Sequence, residues 1–336
     1  MPISSPRQSA KAFPHSFYVR IYETMLKIRK VEEKIADMVS SGEIVCPCHL
    51  CTGQEAVATG VCAVLRKDDW VFSTHRSHGH YIAKGGDIKS MMAELLGKST
   101  GCSRGRGGSM HLADPEIGLP GSSAIVAGTI PLAVGTALAF KLQQTDSVAV
   151  AFFGDGAVCE GVFYESVNFA ALHKLPIIFI CENNLYSTHM PISECLANPR
   201  IYRKASLFGI EGKVIDGNDV LMVYETADKA VKKARAGKGP TLIECLTYRW
   251  LGHVGPSNDL DKGLRSKREV ERWMRKCPIK RFEKYFADNN ILTEADLASI
   301  QKRVQKQVKD AVDFARNSSY PEEGSLLKNV FKEECR

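Results

Sequence analysis

The sequence predicts an α/β protein built on a doubly wound, mostly parallel sheet, with helical additions at its N-terminal and C-terminal ends. Residues 148–153 and 177–181 are unbroken apolar runs, the mark of strands buried on both faces of a parallel sheet. Helical sequence separates these runs and the strands that follow them, and such βαβαβ alternation winds a parallel sheet. Glycine and asparagine close both runs, at Gly154-Asp155-Gly156 and Asn183-Asn184, so the chain turns sharply where each strand ends.

Taken in order, residues 1–16 read as a flexible arm, and residues 17–336 as a single α/β domain whose tail from about 260 is helical. Apolar positions Val19, Tyr22, Met25, Leu26, Ile28, Ile35 and Met38 recur at helical spacing across 18–39 and stop at Ser40-Ser41-Gly42. A helix over 54–65, a short strand over 70–73 and a helix over 88–96 follow. Residues 97–128 are glycine-rich and aperiodic, with Arg104-Gly105-Arg106-Gly107-Gly108-Ser109 inside them. A long irregular stretch in a folded region points to function, and a loop facing a cofactor fits better than a nucleic-acid tail, which would repeat the Arg-Gly-Gly unit many times. Small residues Gly135, Ala137 and Ala139 mark a closely packed helix over 131–142. After strand 148–153 a helix runs to His173, Pro176 breaks it, and strand 177–181 follows. Strands over 211–215 and 241–248 flank a helix over 221–236, and two helices, 267–286 and 294–314, complete the chain.

Composition excludes several classes. The chain of 336 residues carries 45 basic and 38 acidic side chains, and its excess of +7 lies largely within 262–284, as expected of solvated helix faces rather than of a nucleic-acid patch. No run approaches the roughly 20 apolar residues that span a bilayer, and the N-terminus lacks the apolar core of a secretory signal. Arg7, Lys11 and three serines without an acid resemble an organellar presequence only faintly, so a soluble, cytoplasmic protein is expected in preference to one in an organellar matrix. The 11 cysteines are expected to be reduced. Cys46, Cys48, His49 and Cys51 offer zinc-type ligands within one short loop, but a single loop wraps a tetrahedral ion poorly, so they read as buried or pocket-lining residues.

Ligands of open α/β sheets bind beyond the carboxyl ends of the strands. Gly154 and Gly156 allow a phosphate close to the backbone, the start of the following helix offers free N–H groups, and Asp155 supplies a hard oxygen for Mg2+. Asn183 and Asn184, at the end of the neighbouring strand, bring an amide oxygen beside Asp155. A dinucleotide fingerprint needs GxGxxG where this chain has GDGAVCEG, and a P-loop needs Gly-Lys followed by Ser or Thr. A GDG turn, 26 intervening residues and an NN pair, laid on strand, helix and strand, are more specific than either piece alone.

Around these two motifs the sequence resembles the α subunits of thiamin-diphosphate-dependent 2-oxo-acid dehydrogenases, over roughly residues 18–314. The resemblance rests on GDGAVCEG at 154–161, CENNLYS at 181–187, CHLCTGQEA at 48–56, HRSHGHY at 75–81, GRGGSMH at 105–111, SAIVAGTIPLAVG at 123–135 and TYRWLGH at 247–253. It implies the thiamin-diphosphate-binding fold, with thiamin diphosphate and Mg2+ as cofactors. Asp155, Asn184 and the carbonyl of Tyr186 would hold the metal. Arg76 with His75 beside it, the backbone at Gly154, Gly156 and Ala157, and His253 would grip the diphosphate, while the backbone at Ala124 and Val126 would meet the aminopyrimidine. His49 and His253 would face the reacting carbon as catalytic residues. The implied reaction is decarboxylation of a small, pyruvate-like 2-oxo acid, or cleavage of acetoin, with transfer to a lipoyl acceptor. A β subunit would complete the active site in an assembly of two α and two β chains, next to a lipoyl acyltransferase, with no nucleic acid or membrane involved. A transketolase-like carboligase and a non-catalytic scaffold are the alternatives.

Some positions depart from the commoner pattern of that family: His75 stands where tyrosine is frequent, Pro47 where a bulky aromatic is frequent, and Thr188 where an apolar residue props the bent cofactor, a task Met190 could take instead. Val254 replaces the serine that is the regulatory phosphorylation site of animal mitochondrial members. Phosphopeptide mass spectrometry on the loop after His253, from the cells of origin, should therefore find it unmodified; a phosphate on that loop would overturn this reading.

Overall fold

The computed structural model describes residues 13–260 and 262–328, so most of the expected N-terminal arm, residues 1–12, and the last eight residues of the tail, 329–336, lie outside the described residues. The strands are β1 (Trp70–Ser73), β2 (Gly121–Ser122), β3 (Ala149–Gly154), β4 (Ile177–Asn183), β5 (Tyr186–Ser187), β6 (Met190–Pro191), β7 (Glu211–Asp216) and β8 (Thr241–Leu246). The helices are α1 (His15–Ser40), α2 (Glu55–Cys62), α3 (His78–Ala83), α4 (Ile88–Leu95), α5 (Thr129–Leu142), α6 (Gly161–Leu172), α7 (Ile192–Cys195), α8 (Val220–Arg235), α9 (Lys267–Met274), α10 (Pro278–Asn289) and α11 (Glu294–Asn317).

Six strands pair in the order β2-β1-β3-β4-β8-β7, every pair parallel, while β5 and β6 form a separate antiparallel hairpin. Alternate residues of the continuous apolar strands serve opposite faces. Val150, Phe152, Ile178, Ile180 and Ile243 pack under α1, α2 and α8, whereas Ala149, Ala151, Phe153, Ile177, Phe179 and Leu242 pack under α5 and α6. Helices on both faces of a parallel sheet make the doubly wound α/β class that the apolar runs predict.

The apolar stripe of α1 contains two buried charges, Arg29 and Glu32. Arg29 pairs with Glu55 at 2.6 Å and lies over the ring of Trp250, while Glu32 accepts the N–H of Cys51 at 2.8 Å and contacts Nδ1 of His78 at 3.0 Å. The first helix is thereby tied to the segments around residues 51 and 78, both next to the cavity described below.

Local chemistry corrects the expected boundaries in three places. The helix expected over 267–286 is two helices, because Pro278 lacks the N–H of a helix interior and holds Cys277 at φ −49°, ψ 121°, outside the helical region. After Gly154-Asp155-Gly156 the chain makes a 3-10 turn, Asp155–Cys159, before α6 starts at Gly161, so the N–H groups at Gly156 and Ala157 belong to that turn and not to an α-helix N-terminus. Helix α3 grows out of the HRSHGHY segment, whose histidines gave no apolar periodicity to read.

Residues 97–128 are largely irregular, as the glycines indicate, and one buried side chain organises them. The carboxylate of Glu94, at the end of α4, accepts N–H groups from Ser103 (2.8 Å), Gly105 (2.8 Å), Gly107 (2.7 Å) and Gly108 (3.1 Å). Gly105 at φ 77° and Gly108 at φ 57° supply the left-handed turns that aim those groups inward. Among the described residues, no helix is long and apolar enough to cross a membrane.

Replacing Glu94 with Gln leaves part of this buried N–H cluster facing an amide that cannot accept from all of it. Hydrogen bonds to charged groups contribute about 1.5–3 kcal/mol each, so Glu94→Gln should lower stability in urea unfolding by roughly that amount and open residues 103–108 to limited proteolysis. An unchanged midpoint and cleavage pattern would refute the role.

Candidate functional site

From β1 the chain moves outward to edge strand β2, then returns to β3 on the other side of β1. The order reverses between β1 and β3, and ligands of such sheets sit at this reversal, beyond the carboxyl ends of the strands. A cavity opens there. Thr74, His75 and Arg76 line it after β1, Gly154 to Ala157 after β3, and Glu182, Asn184 and Tyr186 to Thr188 at and after β4. Ala124 to Ala127, His49 and His253 complete the wall. All the residues predicted from the sequence to hold metal or cofactor, and both predicted catalytic histidines, thus line one cavity.

One corner carries the donors for a hard cation. The Asp155 carboxyl is buried and its Oδ2 has no hydrogen-bond partner, and burial pushes its pKa up to about 7 from an ordinary value near 3.8. A desolvated carboxyl without a partner is costly unless a proton or a cation meets it. Asn184 lines the same cavity, held by Gln54 at 3.4 Å, and its Oδ1 accepts the N–H of Tyr186 at 3.3 Å. Asn183 takes no part: its amide donates to Glu244 at 2.7 Å and accepts from Leu185 N–H at 3.0 Å on the far side of the strand end. Only one of the two asparagines therefore faces the cavity. A Cβ at Gly156 would stand 2.5 Å from Oγ of Ser187, so a side chain there would collide with the β5 loop. The carboxylate, the amide oxygen and the nearby backbone oxygens form an oxygen donor set that suits Mg2+.

Another part of the wall is built around a buried guanidinium. Arg76 is fully buried, donates to the carbonyls of Leu50 at 2.5 Å and His253 at 3.4 Å, and so joins three loops at one guanidinium. The rings of His49, His75 and His253 cluster beside it, with centroids 4.6, 4.9 and 5.4 Å apart. Burial first, and the adjacent Arg76 charge second, lower their pKa values to about 4 for His49, about 2 for His75 and about 3 for His253. All three imidazoles are neutral at pH 7.

Several supporting residues escaped the sequence reading. Arg249 lies inside the TYRWLGH segment, yet only the fold shows that its buried guanidinium contacts Asp259 at 3.4 Å and donates to the Thr188 carbonyl. Arg265 donates to Arg249 O at 2.7 Å and Leu251 O at 2.9 Å, locking the loop around His253. Beneath the floor, His80 sits 2.7 Å from Ser73 Oγ and 3.3 Å from Glu182. Thr188 lines the cavity, whereas Met190 is half exposed on the hairpin outside it. Cys46 and Cys48 lie 4.0 Å apart, but Cys51 and His49 diverge from them, and among the described residues the metal-competent group is His49, His75 and His253 instead. Arg106 is turned from the cavity to the carbonyls of Ser325 and Lys328, so the cofactor-facing part of the glycine-rich stretch is Met110 and residues 124–127.

The family model described as Dehydrogenase E1 component matches residues 22–323. The chain belongs to that family. Among its curated relatives, the α subunit of the acetoin:2,6-dichlorophenolindophenol oxidoreductase of Bacillus subtilis is 42% identical over 93% of this chain and 92% of its own length. A chloroplastic pyruvate dehydrogenase E1 component subunit alpha-3 of Arabidopsis thaliana is 43% identical over 93% of this chain and 74% of its own length. The pyruvate dehydrogenase E1 α subunit of Rickettsia felis is 40% identical over 94% and 95%. Membership in this family of E1 components implies thiamin diphosphate as the cofactor.

The Asp155 carboxyl provides a pH test. Its folded pKa near 7 lies above the unfolded value near 3.8, so its contribution to stability is complete below about pH 4 and is lost as pH rises to 7. In the presence of a chelator, Asp155→Asn should gain stability over the wild type on going from pH 5 to pH 8, by up to about 3 kcal/mol. Mg2+ affinity of the wild type should fall by up to ~10-fold per pH unit below 7, as the ion competes with one proton. Parallel melting curves for wild type and variant at the two pH values would exclude the assignment.

Proposed function

We propose that this chain is the α subunit of an E1 enzyme that uses thiamin diphosphate and Mg2+ to decarboxylate a small, pyruvate-like 2-oxo acid or to cleave acetoin. One observation carries the proposal: the buried Asp155 carboxyl, whose Oδ2 has no hydrogen-bond partner, lines with Asn184 one cavity at the sheet's switch point. A metal diphosphate answers both walls of that cavity, since the cation meets the acid and the phosphates meet the guanidinium of Arg76.

In this reading Asp155, the Asn184 amide oxygen and the Tyr186 carbonyl hold Mg2+. Arg76, His75 and His253, with the backbone at Gly154, Gly156 and Ala157, hold the diphosphate, and the backbone at Ala124 and Val126 meets the aminopyrimidine. Bound thiamin diphosphate supplies the carbon nucleophile and the electron sink. His49 and His253 stand neutral on the wall, able to accept a proton and return it. The negative charge of diphosphate and substrate carboxylate would raise their pKa values toward the working range, where proton transfer is efficient.

The cavity needs a partner chain to cover it, and names given to the relatives as α subunits point to a β subunit. Ile125, on the cavity rim, is 71% exposed, and Leu132 and Leu142 of α5 are 58% and 74% exposed. Leu172 of α6 adds another exposed apolar side chain on the same layer. Helix α5 is apolar all round, the character of a helix buried on every side, and here one side lies open. In this reading two α and two β chains assemble and deliver the product to a lipoyl acyltransferase. The relatives carry both pyruvate and acetoin in their names at nearly equal identity, so the substrate class is kept as these two.

Mixing the chain with its β partner, thiamin diphosphate and Mg2+ should release carbon dioxide from a 2-oxo acid or split acetoin, and omitting β should abolish turnover. Asp155→Ala should weaken cofactor binding by at least ~100-fold, since even outer partners of a metal ligand contribute about 10–100-fold. Full cofactor affinity in that variant would overturn the proposal.

A further inference from the structure

The imidazole cluster has a chemistry that decarboxylation does not require. One ring nitrogen from each of His49, His75 and His253 lies within 4.8 Å of the other two. They come from three separate segments: the loop before α2, the turn after β1 and the loop after β8. Arg76 fixes all three, because it follows His75 directly and donates to the carbonyls of Leu50, next to His49, and of His253 itself. His49 Nδ1 is buried with no hydrogen-bond partner, an orphan that costs about 1–3 kcal/mol unless a donor or a cation meets it.

We propose that His49, His75 and His253 form a site for one borderline transition-metal ion of the zinc(II) class, separate from the oxygen-donor Mg2+ corner at Asp155 and Asn184. Three neutral imidazoles are a zinc donor set, and Mg2+ prefers the oxygens across the cavity. Nitrogens at about 2.0–2.1 Å from a tetrahedral ion stand ~3.3 Å apart, so modest ring rotations close the observed spacing. The fourth position faces the cavity. The nearby charges of Arg76 and Arg249 favour an anion there, such as hydroxide, chloride or a carboxylate, and hold the affinity for the bare ion to a moderate level. His189, whose ring lies 6.1 Å from that of His253, is the nearest further imidazole. An ion held here would occupy the wall assigned above to diphosphate and substrate, and so would inhibit; this consequence alone rests on the thiamin diphosphate reading.

The test titrates the full-length chain, stripped of metal by a chelator, with zinc chloride by calorimetry and with cobalt chloride by visible absorption. One ion per chain is expected, giving tetrahedral cobalt bands without thiolate-to-metal charge transfer. His75→Tyr and His253→Gln should each weaken binding by at least ~10-fold, and the Cys46→Ser, Cys48→Ser double variant should bind as the wild type does. Undiminished zinc binding in His75→Tyr, or its loss in the double cysteine variant, would overturn the site. Should the histidine variants fail to fold, the cobalt spectrum of the wild type decides: thiolate bands, or no tetrahedral bands, reject it. Adding saturating thiamin diphosphate and Mg2+ should displace the zinc. Zinc binding that persists unchanged beside bound cofactor would overturn the shared-cavity placement while leaving the ion site standing.

Discussion

The site depends on the parallel register between β3 and β4, in which Gly154 lies opposite Glu182. Parallel strands must send their connections off the same end of the sheet, so a register fixed by five apolar pairs also fixes where the polar turns begin. Slippage by one residue would exchange the two faces of β3, moving Phe152 and Phe153 under the wrong helices. Burial of those side chains, at about 2 kcal/mol for each large one, therefore locks the position of Asp155 although burial of its carboxyl is itself unfavourable. The core enforces an arrangement that the acid by itself opposes.

Desolvation is the common cause of the electrostatics on both walls, and it acts in opposite directions. It raises the pKa of Asp155 and lowers those of His49, His75 and His253, because in each case burial disfavours the charged form. Arg76 reinforces the effect on the histidines, while the charge of Arg249 favours the ionised acid without offsetting burial. Burial thus pushes Asp155 and the three histidines toward their neutral forms beside the Arg76 guanidinium. A ligand that brings both a cation and several anionic oxygens reverses that condition at one stroke, which is why a metal diphosphate suits it better than either ion alone.

Much of this was legible in the sequence. Val148 to Phe153 and Ile177 to Cys181 announce their strands because both faces are covered, and the turns that end them announce the cavity, because glycine and asparagine at strand ends relieve a backbone constraint visible in one dimension. What escaped was set by side chains whose partners lie far along the chain. Nothing local distinguishes Asn183 from Asn184, and only Glu244 on β8 turns the first away. Glu94 reads as one more helix acid until the fold brings four N–H groups to it. The α9–α10 break was legible in Pro278 and was overridden by the amphipathic period on either side of it. Cys46, Cys48, His49 and Cys51 show the converse, since closeness in sequence does not make side chains converge, whereas His49, His75 and His253 converge from far apart.

Strain is stored at the rim of the same cavity. Ala127, Leu185 and Thr188 hold φ of 62°, 75° and 56°, a left-handed conformation that side chains disfavour at a cost of order 1 kcal/mol each. Two are held by their own carbonyls: Leu185 O accepts the N–H of Ile192, and Thr188 O accepts from Arg249. Arg249 is itself anchored by Asp259, and Arg265 holds the carbonyls on either side of Trp250. A loop free to relax would leave the left-handed region, so the buried arginines must oppose that relaxation. The hairpin after Asn184 and the loop after His253 are therefore coupled through Arg249. Moving either one must disturb the other, and the metal corner and the histidine wall keep their separation because neither loop can shift alone.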